Sequence, residues 1–467
     1  MQIPPSSPAS AGRTAAGLEL TPFRGVRYAQ DRVSGLAEVT SPPYDVIFRD
    51  KEDQLMAADP HNVVRLILPR PVPGRPGEEY HDAAESLRQW QDEDILVADP
   101  APALYLYEQS AAAGSEPGWV QRGLIGAIRL VPPDAGVVLP HEDVAPGPVA
   151  GRLALMEATQ ANLEPIFLLY DSHSAMPGGV PTPNPCDGAV GATAKIIAEI
   201  AGGCEGSVPR EPLISTCTSD GLRHKLWAIT DPGELAAIAD DLGPRQALIA
   251  DGHHRYAAYL KLQSRRRQAG GGSGPWDYGL ALLVDSASYP PQIGAIHRVI
   301  PGFDVQHAAK LAATAFTVRA LPGGLDNLPA AVNALAAASE SGPAFVLADG
   351  QLTYLISQPD PEQAAAAMPA GRSAEWRALP AAVMEELLIT KLWELTDDDD
   401  TVQVVHHDAE AAVRKARAAD GTAVLCSPMT PSEVYAVAAR GEKVPRKSTS
   451  FAPKPRTGLV LRSFAQG

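Results

Sequence analysis

The chain has 467 residues, enough for two or three domains with ordinary hydrophobic cores. An apolar fraction of 45% and a charged fraction of 20% exclude wholesale disorder. With 39 basic against 55 acidic residues the net charge is −16, which disfavours a general role on nucleic acid or anionic lipid.

Residues 1–17 hold one basic residue and no apolar h-region, so a disordered tail is expected rather than a signal peptide. No apolar run approaches the roughly 20 residues needed to span a bilayer. A cytoplasmic protein without a membrane span is therefore expected. From Leu18 to about Pro232, short apolar runs predict strands at 63–69, 103–109, 124–132, 165–171 and 224–231. Between the first two, Tyr80, Ala84, Leu87 and Trp90 recur at helical spacing. The stretch from Ser172 to Gly188, rich in Gly, Pro and Ser, predicts a surface loop, and GELAAIADDL (233–242) predicts a helix leading into the strand RQALIA.

Beyond residue 300 alanine-rich helices are expected at 307–316 and 329–338. A hairpin follows, turning at Asp349-Gly350, where positive φ angles are needed. The acidic run Asp397–Asp400 predicts a solvated loop. A strand, helix and strand come next, with Asp408 as the helix cap and Gly421 as its end. Thr430, Pro431 and Glu433 then form a capping-box signature. Cys186, Cys204, Cys217 and Cys426 lack metal-ligand spacing and are expected to be reduced packing residues.

The most informative stretch is ALIADGHHRYAAYLKLQSRRR (247–267), a short apolar strand that meets Asp251-Gly252 and then a helix. A glycine lets a ligand approach the backbone, and the free N–H groups of a helix start suit an anion such as phosphate. His253, His254 and Arg255 add side-chain donors, and Arg255 can grip phosphate with two parallel bonds. Asp251 is read as helix cap, as general base, or as both. Zinc on the His253–His254 pair is disfavoured, because adjacent helix side chains diverge by about 100° and no third ligand lies nearby in sequence. The metal question otherwise stays open.

DGHHRYAAY is similar to the phosphate-binding signature of sulfiredoxins and to the Asp-Gly-His-Thr-Arg motif of free serine kinases in the ParB/sulfiredoxin-like superfamily. That resemblance implies a helix start that holds nucleotide phosphates. His253 stands where sulfiredoxins carry their nucleophilic cysteine, so sulfinic-acid repair is not expected. The whole chain after the tail also resembles a prokaryotic family catalogued as domain of unknown function 1015. This rests on FRGVRY (23–28), SPPYDVI (41–47), PHNVVRL (60–66), PHE (140–142), ATQANLEPIFLLY (158–170), ADGHHRYAAY and KSTSFAPKPRTGLV (447–460). Residues 143–152 read DVAPGPVAGR where that family leads one to expect more lysine and acidic residues.

The expected fold class is α/β of mixed α+β type: a ParB/sulfiredoxin-like mixed-sheet nucleotide-binding core over 18–300, and an additional C-terminal α/β region over 301–467. The latter carries a basic phosphate-binding arm at 443–458. Asp45, His61, Arg65 and Glu142 stand at the edges of predicted strands, where loops present ligands; turn chemistry is their alternative. From the arm, Lys447, Ser448, Thr449 and Lys454 are expected to reach the site.

These readings lead to a nucleotide-dependent phosphotransferase acting on a small hydroxyl metabolite, with ATP or ADP and Mg²⁺. Serine or phosphoserine is the substrate that the resemblance implies. Asp251 accepts the hydroxyl proton, or else Asp45 or Glu142 does. The alternatives are a phosphohydrolase, a ParB-type nucleotide switch, and covalent phosphohistidine chemistry at His253 or His254. Expected partners are a nucleotide and a small-molecule substrate, not nucleic acid or membrane; oligomeric state is open.

Overall fold

The computed structural model describes residues 17–111, 119–172, 191–203, 208–398 and 400–466. The expected tail and the loop from Ser172 to Gly188 fall outside the described residues, apart from Gly17 and Ser172.

The architecture is mixed α/β. Nine strands form the larger sheet, eight of them in the order Val138–Leu139, Ala247–Asp251, Ile166–Tyr170, Tyr278–Asp285, Val120–Arg129, Leu104–Ala111, Leu222–Ile229 and Ile214–Cys217. Leu20–Thr21 pairs beside Val120–Arg129. Ile166–Tyr170 runs parallel to Tyr278–Asp285 and antiparallel to Ala247–Asp251, so the sheet is mixed at the place where the site forms. IFLLY is an unbroken apolar run because both of its faces are covered. Phe167 and Leu169 enter one core cluster, and Ile166, Leu168 and Tyr170 enter the other.

A second, wholly antiparallel sheet has six strands in the order Thr317–Leu321, Thr353–Ser357, Ala344–Ala348, Thr422–Cys426, Ile296–Ile300 and Gln403–His406. One face packs Val346, Leu355 and Leu425 with Leu335 of the helix Leu328–Ser339 and Val413 of Ala409–Ala418. The other packs Phe345 and Ile356 with Ala308 and Leu387, from Val305–Ala312 and Val383–Leu392.

The chain's end returns to its beginning. Leu461–Ser463 pairs with both Gly25–Tyr28 and Ala161–Asn162, and buried Arg462 donates to Asn162 Oδ1 (3.0 Å) and the Tyr278 carbonyl (3.1 Å). Upstream, Phe451–Ala452 pairs with Gln292–Ile293, which lies between the last strand of the larger sheet and the first of the smaller. That pairing brings the basic arm to the junction of the two sheets.

Several sequence expectations are corrected. Residues 63–69 form the short helix Val64–Ile67 rather than a strand. Asn62 Oδ1 accepts the Val64 amide (2.9 Å), and Val63, Val64, Leu66 and Ile67 are all fully buried. An unbroken apolar run suits a buried helical turn as well as a buried strand. The helix Ala409–Ala418 is capped by Asp408 as expected, but Asp420, not Gly421, takes the left-handed turn after it (φ 44°). In the acidic run, Asp397 is buried against Arg446 at 3.1 Å instead of solvated. Cys217 is exposed and so packs no core. Among the described residues no helix is long and apolar enough to cross a membrane.

Candidate functional site

The strand Ala247–Asp251 is buried at every residue and ends on Gly252, from which the helix His253–Gln268 starts. Gly252 has φ 94°, and a Cβ there would meet Ile166 Cγ2 at 2.9 Å and Arg255 Nε at 3.1 Å. Glycine is thus demanded both by the backbone and by the space. The first backbone bond of the helix runs from Tyr256 N–H to the Gly252 carbonyl (2.9 Å). Among the described residues the amides of His253, His254 and Arg255 have no backbone partner, as at any helix start. Gly252 is the N-cap and no side chain caps it, so Asp251 is not the cap that its position suggested.

Asp251 faces cations instead. Its Oδ2 accepts from Arg255 Nη2, and its Oδ1 lies 2.5 Å from Lys454 Nζ. Burial pushes this carboxyl up, but Arg255 and Lys454 outweigh burial and hold it below the usual aspartate value. Lys454 also pairs with Asp45. Asp45 goes the other way: burial and then the charge of Asp251 raise it, against the pull of Lys454 and Arg255. Asp45 sits in the single turn Tyr44–Val46, held by Glu164, whose Oε1 accepts the Tyr44 amide (3.0 Å). Arg152 lies over the Tyr44 ring, 4.2 Å from its centroid.

These groups line a cavity of about 440 Å³ between the two sheets. Of the residues singled out in the sequence, Asp45, Glu142, Asp251, Gly252, His253 and His254 line it, together with Arg255, Lys447, Thr449 and Lys454. Tyr44, His406, Ser450 and Phe451 line it too. Ser450 and Phe451 belong to the arm expected at the site, and Tyr44 is the neighbour of Asp45 in PPYD, whereas His406 carries no local signal.

Three expected ligand residues lie elsewhere. His61 sets its ring edge-on to Trp90 at 5.5 Å, with Nδ1 3.3 Å from Asp59 Oδ1, and Arg65 donates to the Met56 carbonyl (2.7 Å). Ser448 is buried, and its hydroxyl donates to the Pro445 carbonyl (2.6 Å). None of the three lines the cavity. Arg255 reaches the cavity wall, and its Nε is buried without a hydrogen-bond partner among the described residues, while its two terminal nitrogens are engaged by protein groups. The side chain is buried, Nη1 donates to the Pro165 carbonyl (2.6 Å) and Nη2 to Asp251.

A second cluster sits where the PHE tripeptide meets the helix start. The His141 amide donates to His253 Nε2 (3.3 Å), and His253 Nδ1 lies 3.6 Å from Glu142 Oε2. The Thr449 hydroxyl donates to Glu142 Oε1 (2.6 Å) and lies 2.9 Å from His141 Nε2. Burial brings the His141 imidazole down to about 3 and holds His253 well below its usual value, so both rings are neutral. Burial likewise raises Glu142, while the Thr449 hydrogen bond works against it. The His141, Glu142 and His253 side chains each offer a ligand atom within 4.8 Å of the others, a grouping that does not include His254. The ring's hydrogen bonds argue against a metal there. With Nε2 accepting from the His141 amide, the single proton of neutral His253 sits on Nδ1, the nitrogen that faces Glu142. The cluster is a hydrogen-bonded brace for Glu142.

His254 Nε2 accepts the Ala145 amide (3.1 Å), tying the unusual 143–152 stretch to the helix start. Nearby, the Lys443 ammonium donates to the Pro140 carbonyl (2.8 Å) and the Val444 amide to the His141 carbonyl (2.9 Å). Lys443 and Val444 thus pack along the loop that carries Glu142.

No curated protein matches the chain. Among solved structures, similar chains include a free serine kinase in complex with ADP (13% identity, 72% of this chain and 88% of that chain, TM-score 0.32). A conserved hypothetical protein from Pyrococcus furiosus matches at 14% identity over 74% of this chain and 97% of that one, with TM-score 0.32. A C-terminally truncated SbnI from Staphylococcus aureus matches at 12% identity over 69% and 82%, with TM-score 0.31. TM-scores this low establish neither a shared fold nor a shared activity. The family model described as "Protein of unknown function (DUF1015)" matches residues 20–178 and 191–387, more than half of the sequence, and the chain belongs to that family.

Proposed function

We propose that the cavity binds a nucleotide by its phosphates and transfers a phosphoryl group between it and a small hydroxyl metabolite. The observation that carries this reading is the convergence, on one cavity, of a glycine-started helix whose first three amides have no backbone partner among the described residues, the ammonium of Lys454, and a carboxyl raised by its surroundings. Backbone amides at a helix start and a lysine at the phosphates are what phosphoryl transfer asks of a protein, since it depends on positioning and charge neutralisation.

Asp45 is the better general base. Both oxygens of Asp251 are engaged by Arg255 and Lys454, which reduce its affinity for a proton, whereas Asp45 pairs with Lys454 alone among the described residues and burial raises its affinity for a proton. Asp251 then positions Lys454 and Arg255. Glu142 makes no ion pair with a lysine or arginine among the described residues and faces the cavity, so its carboxylate fits a hard cation. Mg²⁺ is held in this way, by one or two carboxylates together with phosphate oxygens. When bound, Mg²⁺ supplies charge neutralisation on the phosphates. Serine or phosphoserine is the substrate implied by the DGHHRY resemblance, and an ADP or ATP donor agrees with the same motif.

Calorimetric titration with ADP, ATP and inorganic phosphate tests the reading. Saturable nucleotide binding that weakens in Lys454→Met supports it. No binding of either nucleotide up to millimolar concentration overturns it.

A further inference from the structure

Beside the large cavity lies a second one of about 190 Å³. The two share Ser450, Phe451 and Lys454, so the arm forms the wall between them and Lys454 lines both. Pro43 and Val46 line the small cavity while Tyr44 and Asp45 line the large one, which puts the Asp45 turn at the same boundary.

The small cavity has a cation in its lining that its surroundings leave partly unmatched. Arg456 is buried; its Nε donates to Thr40 Oγ1 (2.8 Å) and Nη2 to the Thr40 carbonyl (2.9 Å). Its Nη1 makes no hydrogen bond among the described residues and lies 3.7 Å from Asp220 Oδ2, too far for one. Asp220 is half exposed, so water screens its charge. His224 adds no second charge, since burial brings it down to about 4, and its nitrogens face the Tyr107 hydroxyl (2.8 Å) and the Thr218 hydroxyl (3.2 Å). A guanidinium nitrogen of a buried arginine, in the lining of a small cavity and without a hydrogen-bond acceptor among the described residues, is a site for an anionic oxygen.

We propose that this cavity is the acceptor's subsite and takes a small hydroxylated carboxylate, with its carboxylate on Arg456 and its hydroxyl directed at Asp45 and Lys454. The proposal rests on the phosphoryl-transfer reading above. The volume suits a three- or four-carbon acid. In the transfer, the acceptor hydroxyl oxygen bonds to the terminal phosphorus as the bond from that phosphorus to the nucleotide's bridging oxygen breaks. The hydroxyl proton passes to the Asp45 carboxylate, and the bridging oxygen leaves with the electron pair.

The test is calorimetric titration of the full chain with glycerate, serine and glycerol, each with and without ADP. Glycerate or serine is expected to bind and glycerol is not; Arg456→Met is expected to weaken the acid at least tenfold while ADP affinity stays within threefold. Should Arg456→Met fail to fold, Asp220→Asn decides. It removes a negative charge from beside Arg456, so glycerate should bind several-fold tighter. Serine instead weakens if its ammonium uses Asp220, which separates an amino acid from a hydroxy acid. Glycerol binding as well as glycerate, or glycerate affinity untouched by both variants, overturns the proposal. ADP binding with no carboxylate binding overturns the subsite and leaves the nucleotide reading standing. Carboxylate binding that depends on Arg456 without any ADP binding overturns the nucleotide reading instead.

Discussion

Lys454 Nζ lies 2.5 Å from Asp251 Oδ1, and the same ammonium pairs with Asp45 from the other side. One cation from the end of the chain thus joins a carboxylate near its beginning to the strand end that starts the helix. Burial lowers Lys454, but the two aspartates outweigh burial and raise it, so it stays charged.

Replacing Lys454 with methionine leaves two carboxylates facing each other in a largely buried place. The lysine is a fifth exposed, which reduces the cost relative to a fully buried pair. We expect a loss of roughly 1–3 kcal/mol at pH 8, measured by urea unfolding. The loss should shrink at pH 5.5, because Asp45, already raised, takes up a proton and removes the repulsion. A loss that is larger at pH 5.5 than at pH 8 contradicts the pairing.

His224 gives a pH signature of its own. It is buried, and burial followed by the Arg456 charge brings it down to about 4, against about 6.5 in the unfolded chain. Between those values the unfolded chain binds a proton that the folded chain refuses, so stability falls as pH falls through that window. Relative to His224→Gln, the wild type should therefore lose about 2 kcal/mol between pH 7 and pH 4.5. Parallel stability curves for the two proteins would show that His224 titrates normally.

The basic arm is not a removable appendage. Val444, Phe451, Leu459, Val460 and Leu461 are buried, and Leu461–Ser463 bridges two other strands. At about 1.5–3 kcal/mol for each fully buried large side chain, deleting residues 443–467 removes on the order of 10 kcal/mol, comparable to the whole stability of a domain. The fragment should show no cooperative thermal transition. A truncated protein that melts cooperatively and keeps its near-ultraviolet circular dichroism contradicts this packing.

What the sequence revealed follows the range of its signals. The hairpin Ala344–Ala348 to Thr353–Ser357 was legible because its cause is local: Gly350 takes φ 89°, and Asp349 Oδ1 accepts the Gln351 and Leu352 amides (2.7 Å each). Asp349 itself does not take a positive φ. The strand, glycine and helix of ALIADGHHRY were legible for the same reason. The residues 63–69 were misread because continuous burial erases the periodicity that separates helix from strand. Asp45 and Lys454 were each singled out, but no spacing rule joins residues 409 positions apart. The antiparallel bridge between Ser41 and Thr457, the pairing of Phe451–Ala452 with Gln292–Ile293 and the turn of Tyr44–Val46 bring them together. His61 and Arg65 show the opposite error, polar residues at an element's edge whose partners are entirely local.

The central claim is that Asp45 and Lys454 form the reacting end of a phosphoryl-transfer site. Phosphorus NMR of the wild type and Asp45→Asn, each incubated with ATP or ADP, Mg²⁺ and a mixture of small hydroxylated acids that includes serine, tests it directly. The account predicts a new phosphate-ester resonance with the wild type and a rate lower by roughly 10²- to 10⁴-fold with Asp45→Asn, the usual span of general-base catalysis, with nucleotide affinity retained. Equal rates in the two proteins, or no ester formed by the wild type although it binds nucleotide, would contradict it.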